Sequence, residues 1–285
     1  MQNVSRRHFL GGSLAAAGCL ATPVQELRAN PLGMPVGFQT WVVRDRIGAD
    51  FPGAMREMAA MGYQTLELCS PPSYAGAGFA PLAKLSATEV RKVIEDAGLR
   101  CVSCHYGFKE LKESLPERLS YAKDLGIKQM VLASFGMPKA AKLADWARAA
   151  SELNKAGEQA LKAGIQLGYH NHDMEFEQLE GTLIYDKLMS EFDPKLIKMQ
   201  FQVSVISLGF EAVTYFEKYP GRFISLHLAD WSPKEKQTVA VGQGIVDWKK
   251  LFHGAKKAGV QNYFAEIEGM PVMKTSCEFL RGLKA

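Results

Sequence analysis

Two histidines one residue apart close an apolar run: residues 167–176 read Leu-Gly-Tyr-His-Asn-His-Asp-Met-Glu-Phe. In a strand alternate side chains share a face, so His170 and His172 point into one space. Neutral imidazoles side by side suit a divalent transition metal or a proton-transfer site, with a hydrogen-bonded pair in a buried turn as the structural alternative. Groups of the same kind recur elsewhere: Glu67, His105, Gln200, Gln202, His227, Asp230, Glu266 and Glu268 each stand at or just past the end of a β-rich run. Four of the six histidines fall at such ends, the others being His8 near the N-terminus and His253 in a helical pattern. Scattered structural histidines would not gather in this way.

Those groups need a scaffold that brings many strand ends together. β-rich runs at 36–41, 65–68, 100–105, 129–133, 165–170, 197–202, 223–228 and 263–267 alternate with amphipathic stretches at 54–61, 87–97, 116–125, 142–163, 183–191, 211–218, 247–258 and 273–283. Gly62, Gly98, Gly126, Gly164 and Gly259 each follow a helical stretch where a C′ glycine belongs, and Ser86 and Asp145 are placed to cap two helices at the front. Strict strand–helix alternation implies a parallel sheet, and eight units specify an α/β fold, a single (β/α)₈ TIM barrel spanning residues 30–285. No Gly-x-Gly-x-x-Gly turn follows the first run, which removes the main support for a dinucleotide fold; Gly242-Gln243-Gly244 reads as a tight turn.

A barrel carries its chemistry at the C-terminal ends of its strands. There His170, His227 and Glu266 are the donor types that hold manganese, cobalt, iron or zinc, with Gln202 able to add a neutral oxygen; calcium prefers an all-oxygen shell. Glu266, Glu268 and His105 are the candidates for proton transfer. Glu67, His172, Asp230 and Trp41 are the candidates for holding a substrate, with Phe38 and Trp231 as further apolar wall.

The 285 residues are 47% hydrophobic and 22% charged, enough for a full core. A net charge of +4, partly held by Arg6, Arg7 and Arg28, leaves no electrostatic footprint for nucleic acid. Ser5-Arg6-Arg7-His8-Phe9-Leu10, followed by a Gly- and Ala-rich run too short to span a membrane, resembles a twin-arginine signal peptide over residues 1–29. It implies the twin-arginine translocase as a partner and a periplasmic or secreted destination; Gly18-Cys19, with Ala16 where a lipoprotein signal prefers Leu, offers a lipid anchor as the alternative. The five cysteines form no even disulfide framework. Cys101 and Cys104, three apart on a strand, are expected on opposite faces as unpaired thiols.

Four segments carry a family likeness: residues 167–176, 219–230 (Tyr-Pro-Gly-Arg-Phe-Ile-Ser-Leu-His-Leu-Ala-Asp), 242–248 (Gly-Gln-Gly-Ile-Val-Asp-Trp) and 263–268. In these the chain resembles the sugar phosphate isomerase/epimerase-like proteins of the xylose-isomerase-type barrel, which include inosose dehydratases and related keto-sugar enzymes. The resemblance implies a divalent metal held by His170 on strand five, where many relatives have Glu, by His227 on strand seven and by Glu266 on strand eight, with His105 near substrate. Two departures fall in the site: Gln202 stands where many relatives have an Asp ligand, and Ala229 where relatives often have Lys. The implied activity is isomerisation, epimerisation or elimination on a keto-sugar, keto-glycoside or cyclitol, by proton abstraction beside a metal-polarised carbonyl. A metal-dependent hydrolase and a non-catalytic sugar-binding barrel with a decayed metal site are the alternatives. The small-molecule partner is a carbohydrate, and a homo-oligomer is compatible with the chain.

Overall fold

Short apolar runs separated by amphipathic helices hide both faces only when helices cover one and the strands close upon the other. The computed structural model describes residues 30–284, so the signal-like segment, residues 1–29, lies outside the described residues. Eight strands close a ring: β1 (Gly37–Gln39), β2 (Thr65–Cys69), β3 (Arg100–Gly107), β4 (Gln129–Ser134), β5 (Gln166–His170), β6 (Ile197–Gln202), β7 (Phe223–Leu228) and β8 (Asn262–Ala265). Each pairs in parallel with its neighbour in sequence, and β1 pairs with β8. Around them run α1 (Arg44–Ala60), α2 (Ala87–Asp96), α3 (Phe108–Glu113), α4 (Leu115–Leu125), α5 (Leu143–Lys162), α6 (Ile184–Glu191), α7 (Ala212–Lys218), α8 (Trp248–Ala258) and α9 (Met270–Gly282). Among the described residues no helix is long and apolar enough to cross a membrane.

Local chemistry sets the boundaries. β1 stops before Trp41 because the Gln39 side chain accepts from the Trp41 backbone N–H at 3.2 Å, bending residues 40–43 into a 3₁₀ turn. α1 starts ten residues earlier than its apolar period suggests: Arg44, Asp45 and Arg46 carry no hydrophobic signal, and a break at Asp50, whose carboxylate caps the Gly53 N–H at 2.9 Å, joins this polar turn to the amphipathic part. Ser86 opens α2 in a reciprocal capping box with Glu89. Asp145 is not the cap of α5; it occupies the third helical position and reaches back to the Lys142 N–H at 2.8 Å. Gly126 ends α4 at φ 85°, a conformation that a side chain disfavours.

Outward strand residues such as Leu66, Leu68, Met130, Leu132 and Leu167 are fully buried against the helices, each contributing about 1.5–3 kcal/mol by leaving water. The barrel interior is different. Gln39, Glu67, Ser103, Gln200 and Ser225 are fully buried there, where a barrel usually stacks branched apolar residues. A register shift helps to align them: Cys101 pairs with Leu66 but Ser103 with Glu67, so Val102 is the extra residue and Ser103 and His105 both face inward. The same shift corrects the expectation for the thiols. Cys101 pairs with Leu66 and Cys104 with Leu68, both on the helix-facing side, and both are free.

Candidate active site and metal centre

A buried carboxylate needs donors in proportion to its charge, and the interior polar residues supply them to Glu67. Its Oε1 accepts from Gln39 Nε2 at 2.8 Å and His227 Nε2 at 2.6 Å and lies 3.0 Å from His105 Nε2, and its Oε2 accepts from Ser103 Oγ at 2.5 Å and Gln200 Nε2 at 2.9 Å. Burial pushes its pKa up, but the two imidazoles outweigh burial and hold the carboxyl well below the carboxylate range. Glu67, a candidate for holding substrate from its place at a strand end, instead lies beneath the imidazoles, fully buried and outside the cavity lining.

The imidazoles stand on this floor. His227 is bridged between two carboxylates, Nε2 to Glu67 and Nδ1 to Glu266 Oε2 at 2.8 Å. Burial opposes its charge, yet Glu266 and Glu67 carry its pKa up to about 10. Glu266 Oε2 also accepts from Gln202 Nε2 at 2.8 Å. His105 stacks on His227, ring centres 5.0 Å apart at 21°, and places Nε2 2.6 Å from Gln200 Oε1. His170 packs 4.3 Å from the His227 ring, and His172 meets His170 edge-on at 4.7 Å. Burial, followed by the neighbouring imidazoles, holds His170 well below the usual histidine pKa. His105, His170, His172 and Glu266 line a cavity of about 230 Å³, with Trp41 and Tyr74 as its aromatic wall.

Three buried polar atoms here find no hydrogen-bond partner among the described residues: His170 Nδ1, Gln202 Oε1 and Asn171 Nδ2. The first two are donor atoms of the kind a metal takes, and His105, His170 and His227 each offer a ligand nitrogen within 4.8 Å of the others. A carboxylate on the far nitrogen of a histidine is the usual outer support of a metal-bound imidazole, and Glu67 provides it for His227. The residues therefore fit a divalent metal. Two donor sets overlap: His170, Gln202, His227 and Glu266, as the sequence suggests, and the three imidazoles, which bring in His105.

Other candidates lie elsewhere. Asp230 is not a substrate contact: its carboxylate accepts from the backbone N–H groups of Trp231, Gly242 and Val246 and from Trp248 Nε1, at 2.8–3.0 Å, and is consumed in closing the loop after β7. Gly244 is required there, since a Cβ would meet Asp230 Oδ1 at 2.2 Å. Glu268 is no proton-transfer group in this arrangement; its side chain is 65% exposed and paired with Arg44 at 2.7 Å, and it is not among the residues lining the cavity. Sequence reasoning missed Gln39, Ser103 and Ser225, and left Gln200 without a role. Strand parity with His105, Gln202 and His227 was the signal that could have found Ser103, Gln200 and Ser225, while Gln39 has no such partner on its own short strand.

Residues 55–283 match the family described as xylose isomerase-like TIM barrel. A sugar phosphate isomerase/epimerase from Parabacteroides distasonis is 24% identical, with 87% of this chain and 93% of that one covered and a TM-score of 0.75. The IOLI protein with a binding zinc atom is 12% identical, with 87% of this chain and 94% of that one covered and a TM-score of 0.64. These two likenesses are of fold. An inosose dehydratase of Lacticaseibacillus casei is 23% identical over 47% of this chain and 51% of its own length, so the chain spans about half the length of the curated relatives it matches. By its barrel and by the stretch over which the family matches, the chain belongs to the xylose isomerase-like TIM barrels.

Proposed function

We propose that the protein is a metal-dependent isomerase, epimerase or lyase acting on a keto-sugar, keto-glycoside or cyclitol, by moving a proton from the carbon beside a carbonyl. The observation that carries this reading is the division of labour between the two nitrogens of His105. The amide nitrogen of Gln200 donates to Glu67 and to Ser225 Oγ at 2.9 Å, so its oxygen accepts the Nε2 proton of His105. Nδ1 is left with a lone pair on a ring that lines the cavity, which is what a general base requires.

His170, His227 and Glu266, with the oxygen of Gln202, would hold the metal, which when bound polarises a carbonyl and the adjacent hydroxyl. Glu67 fixes the His227 ring through Nε2. Glu266, 19% exposed, is the carboxylate of the cluster that reaches the cavity, and it can take or return a proton beside His105. Trp41 and Tyr74 wall the sugar ring from water. A proton returned to the neighbouring carbon gives isomerisation, one returned to the opposite face gives epimerisation, and departure of a group one carbon further gives elimination. The names of the relatives, dehydratase and isomerase/epimerase, support this span of reactions. Export through the signal-like residues 1–29 is part of the proposal.

The test is elemental analysis of the protein purified without chelators, beside a His170→Ala, His227→Ala variant, followed by deuterium exchange from D₂O into keto-sugars. Near-stoichiometric manganese, cobalt, iron or zinc lost in the variant, with metal-dependent exchange, is expected; equal metal in both proteins would sink the reading. One observation favours the metal-free alternative, a sugar-binding barrel: both nitrogens of His227 are already satisfied by carboxylates. That protein would bind sugar and exchange no proton. A hydrolase of nucleic acid finds no support, since no Lys or Arg is among the described residues lining the cavity.

A further inference from the structure

One buried side chain joins the floor of the cavity to its wall. Gln39, at the end of β1 and fully buried, donates through Nε2 to Glu67 Oε1 at 2.8 Å. Its Oε1 accepts from the Trp41 backbone N–H and from Thr40 Oγ1, both at 3.2 Å, with Cys69 Sγ 3.4 Å away. Thr40 Oγ1 in turn accepts the Cys69 N–H at 2.9 Å. The two ends of the amide cannot be exchanged, because a flip would set its NH₂ against the Trp41 N–H and its oxygen against the Glu67 carboxylate.

The two ends lead to different parts of the site. Glu67 holds the His227 ring through Nε2. Trp41, Cys69 and Tyr74 line the cavity, and the Trp41 ring packs edge-on against Tyr74, centres 5.9 Å apart. Trp41 belongs to the 3₁₀ turn Thr40–Val43, whose leading N–H the Gln39 oxygen satisfies, so the turn that carries the aromatic wall is held at its head by this one amide. Neither end can let go without stranding a buried polar group.

We infer, on the metal reading above, that Gln39 is a positioning residue: it locks the aromatic wall to the metal-site floor, so that Trp41 and His227 keep one spacing. Gln39 is not among the residues lining the cavity. It acts through Glu67 on one side and through the Trp41 backbone on the other.

Zinc affinity, measured by chelator competition, reads the floor. ¹⁹F NMR of the full chain carrying fluorotryptophan reads the wall, the line lost in Trp41→Phe assigning Trp41 among the four tryptophans. In Gln39→Met zinc binding should weaken about tenfold, the low end of the cost of losing an outer partner. The Trp41 line should broaden or split, while the lines of Trp146 and Trp248, buried on α5 and α8, stay in place and report an intact fold. Gln39→Asn, an amide one methylene short of spanning both partners, should move both readings the same way and carries the test if Gln39→Met does not fold. Glu67→Gln should weaken zinc binding and leave the Trp41 line narrow, since an amide oxygen at position 67 still accepts from Gln39. Gln39→Met combined with Glu67→Gln should bind zinc no more weakly than Glu67→Gln alone, because the two act on the metal through one path. Unchanged zinc affinity in the Gln39 variants, an unmoved Trp41 line, or equal broadening of all four lines overturns this role and leaves the metal reading intact. A wild type that binds neither zinc, cobalt nor manganese overturns both.

Discussion

Glu67 and His227, both fully buried, meet through a 2.6 Å contact between Oε1 and Nε2 at the floor of the barrel. The two shifts act in opposite pH windows. Glu67 has its pKa lowered in the fold, so its contribution is present above the ordinary carboxylate range and lost as pH falls. His227 is raised to about 10, so its contribution is complete below the unfolded value and disappears as pH rises through about 10. The metal-free protein should therefore lose stability between about pH 6.5 and 10, by roughly 2–4 kcal/mol from this residue. Urea midpoints across that range check it. Glu67→Gln should flatten the slope and weaken divalent metal binding by roughly 10- to 100-fold, the usual cost of losing an outer partner.

Glu175 titrates in a different window. Its buried carboxylate accepts from the Tyr169 hydroxyl and from the His172 N–H at 2.8 Å, and so fixes the turn that carries His170 and His172. Burial raises its pKa to about 7, above the unfolded value near 4.3. Stability linked to Glu175 is present at low pH and lost as pH rises through about 7. Glu175→Gln should remove that loss, so the gap between variant and wild type measured by chemical denaturation at pH 5 and pH 8 should move in the variant's favour by roughly 2 kcal/mol or more. An unchanged gap would show that the carboxylate is ionised without cost.

Asp230 offers a test of structure against chemistry. Four donors converge on its carboxylate, all from the loop after β7 or the head of α8. Asp230→Ala strands those donors, and a loss of roughly 2–4 kcal/mol is expected in thermal or denaturant unfolding. Metal content at low temperature should stay as in the wild type, because none of the imidazoles leans on Asp230. Loss of metal with unchanged stability would return Asp230 to the site.

The barrel was legible because its signals are local. Period, glycine punctuation and strand–helix alternation each act within a few residues, and all eight strands appear in the expected order. The end of β1 was not legible, since the Gln39 side chain turning back on Trp41 leaves no trace in hydrophobic pattern. In the site, the inward histidines could be read from strand position, which is why His105, His170 and His227 were found together. Asp230 and Glu268 could not be sorted by the same rule. A carboxylate just past a strand end looks the same in sequence whether it faces the axis, clamps a loop or pairs with an arginine 224 residues away. Ser103 keeps the parity of His105 two residues on, and only Cys101, before the extra residue Val102, falls out of phase with it.

Gln200 is the residue whose loss should separate proton transfer from binding. Its amide can serve His105 only with the oxygen, because the nitrogen already faces Glu67 and Ser225. Replacement by Glu adds an anion beside Glu67 in a closed interior, while replacement by Leu leaves His105 Nε2 with Glu67 alone as acceptor. Gln200→Leu frees the ring to turn or change tautomer, so the lone pair is no longer held on Nδ1. If His105 is the general base proposed above, the expected result is a fall in kcat of about 10²- to 10⁴-fold, with KM within a few fold. Gln200→Asn, whose shorter amide keeps the same polarity, should recover part of the rate. A ¹⁵N-histidine spectrum supplies the independent reading: in the wild type His105 should hold its proton on Nε2, and in Gln200→Leu that preference should weaken. A rate fall confined to KM, with the His105 tautomer unchanged, would place Gln200 among residues that merely shape the floor.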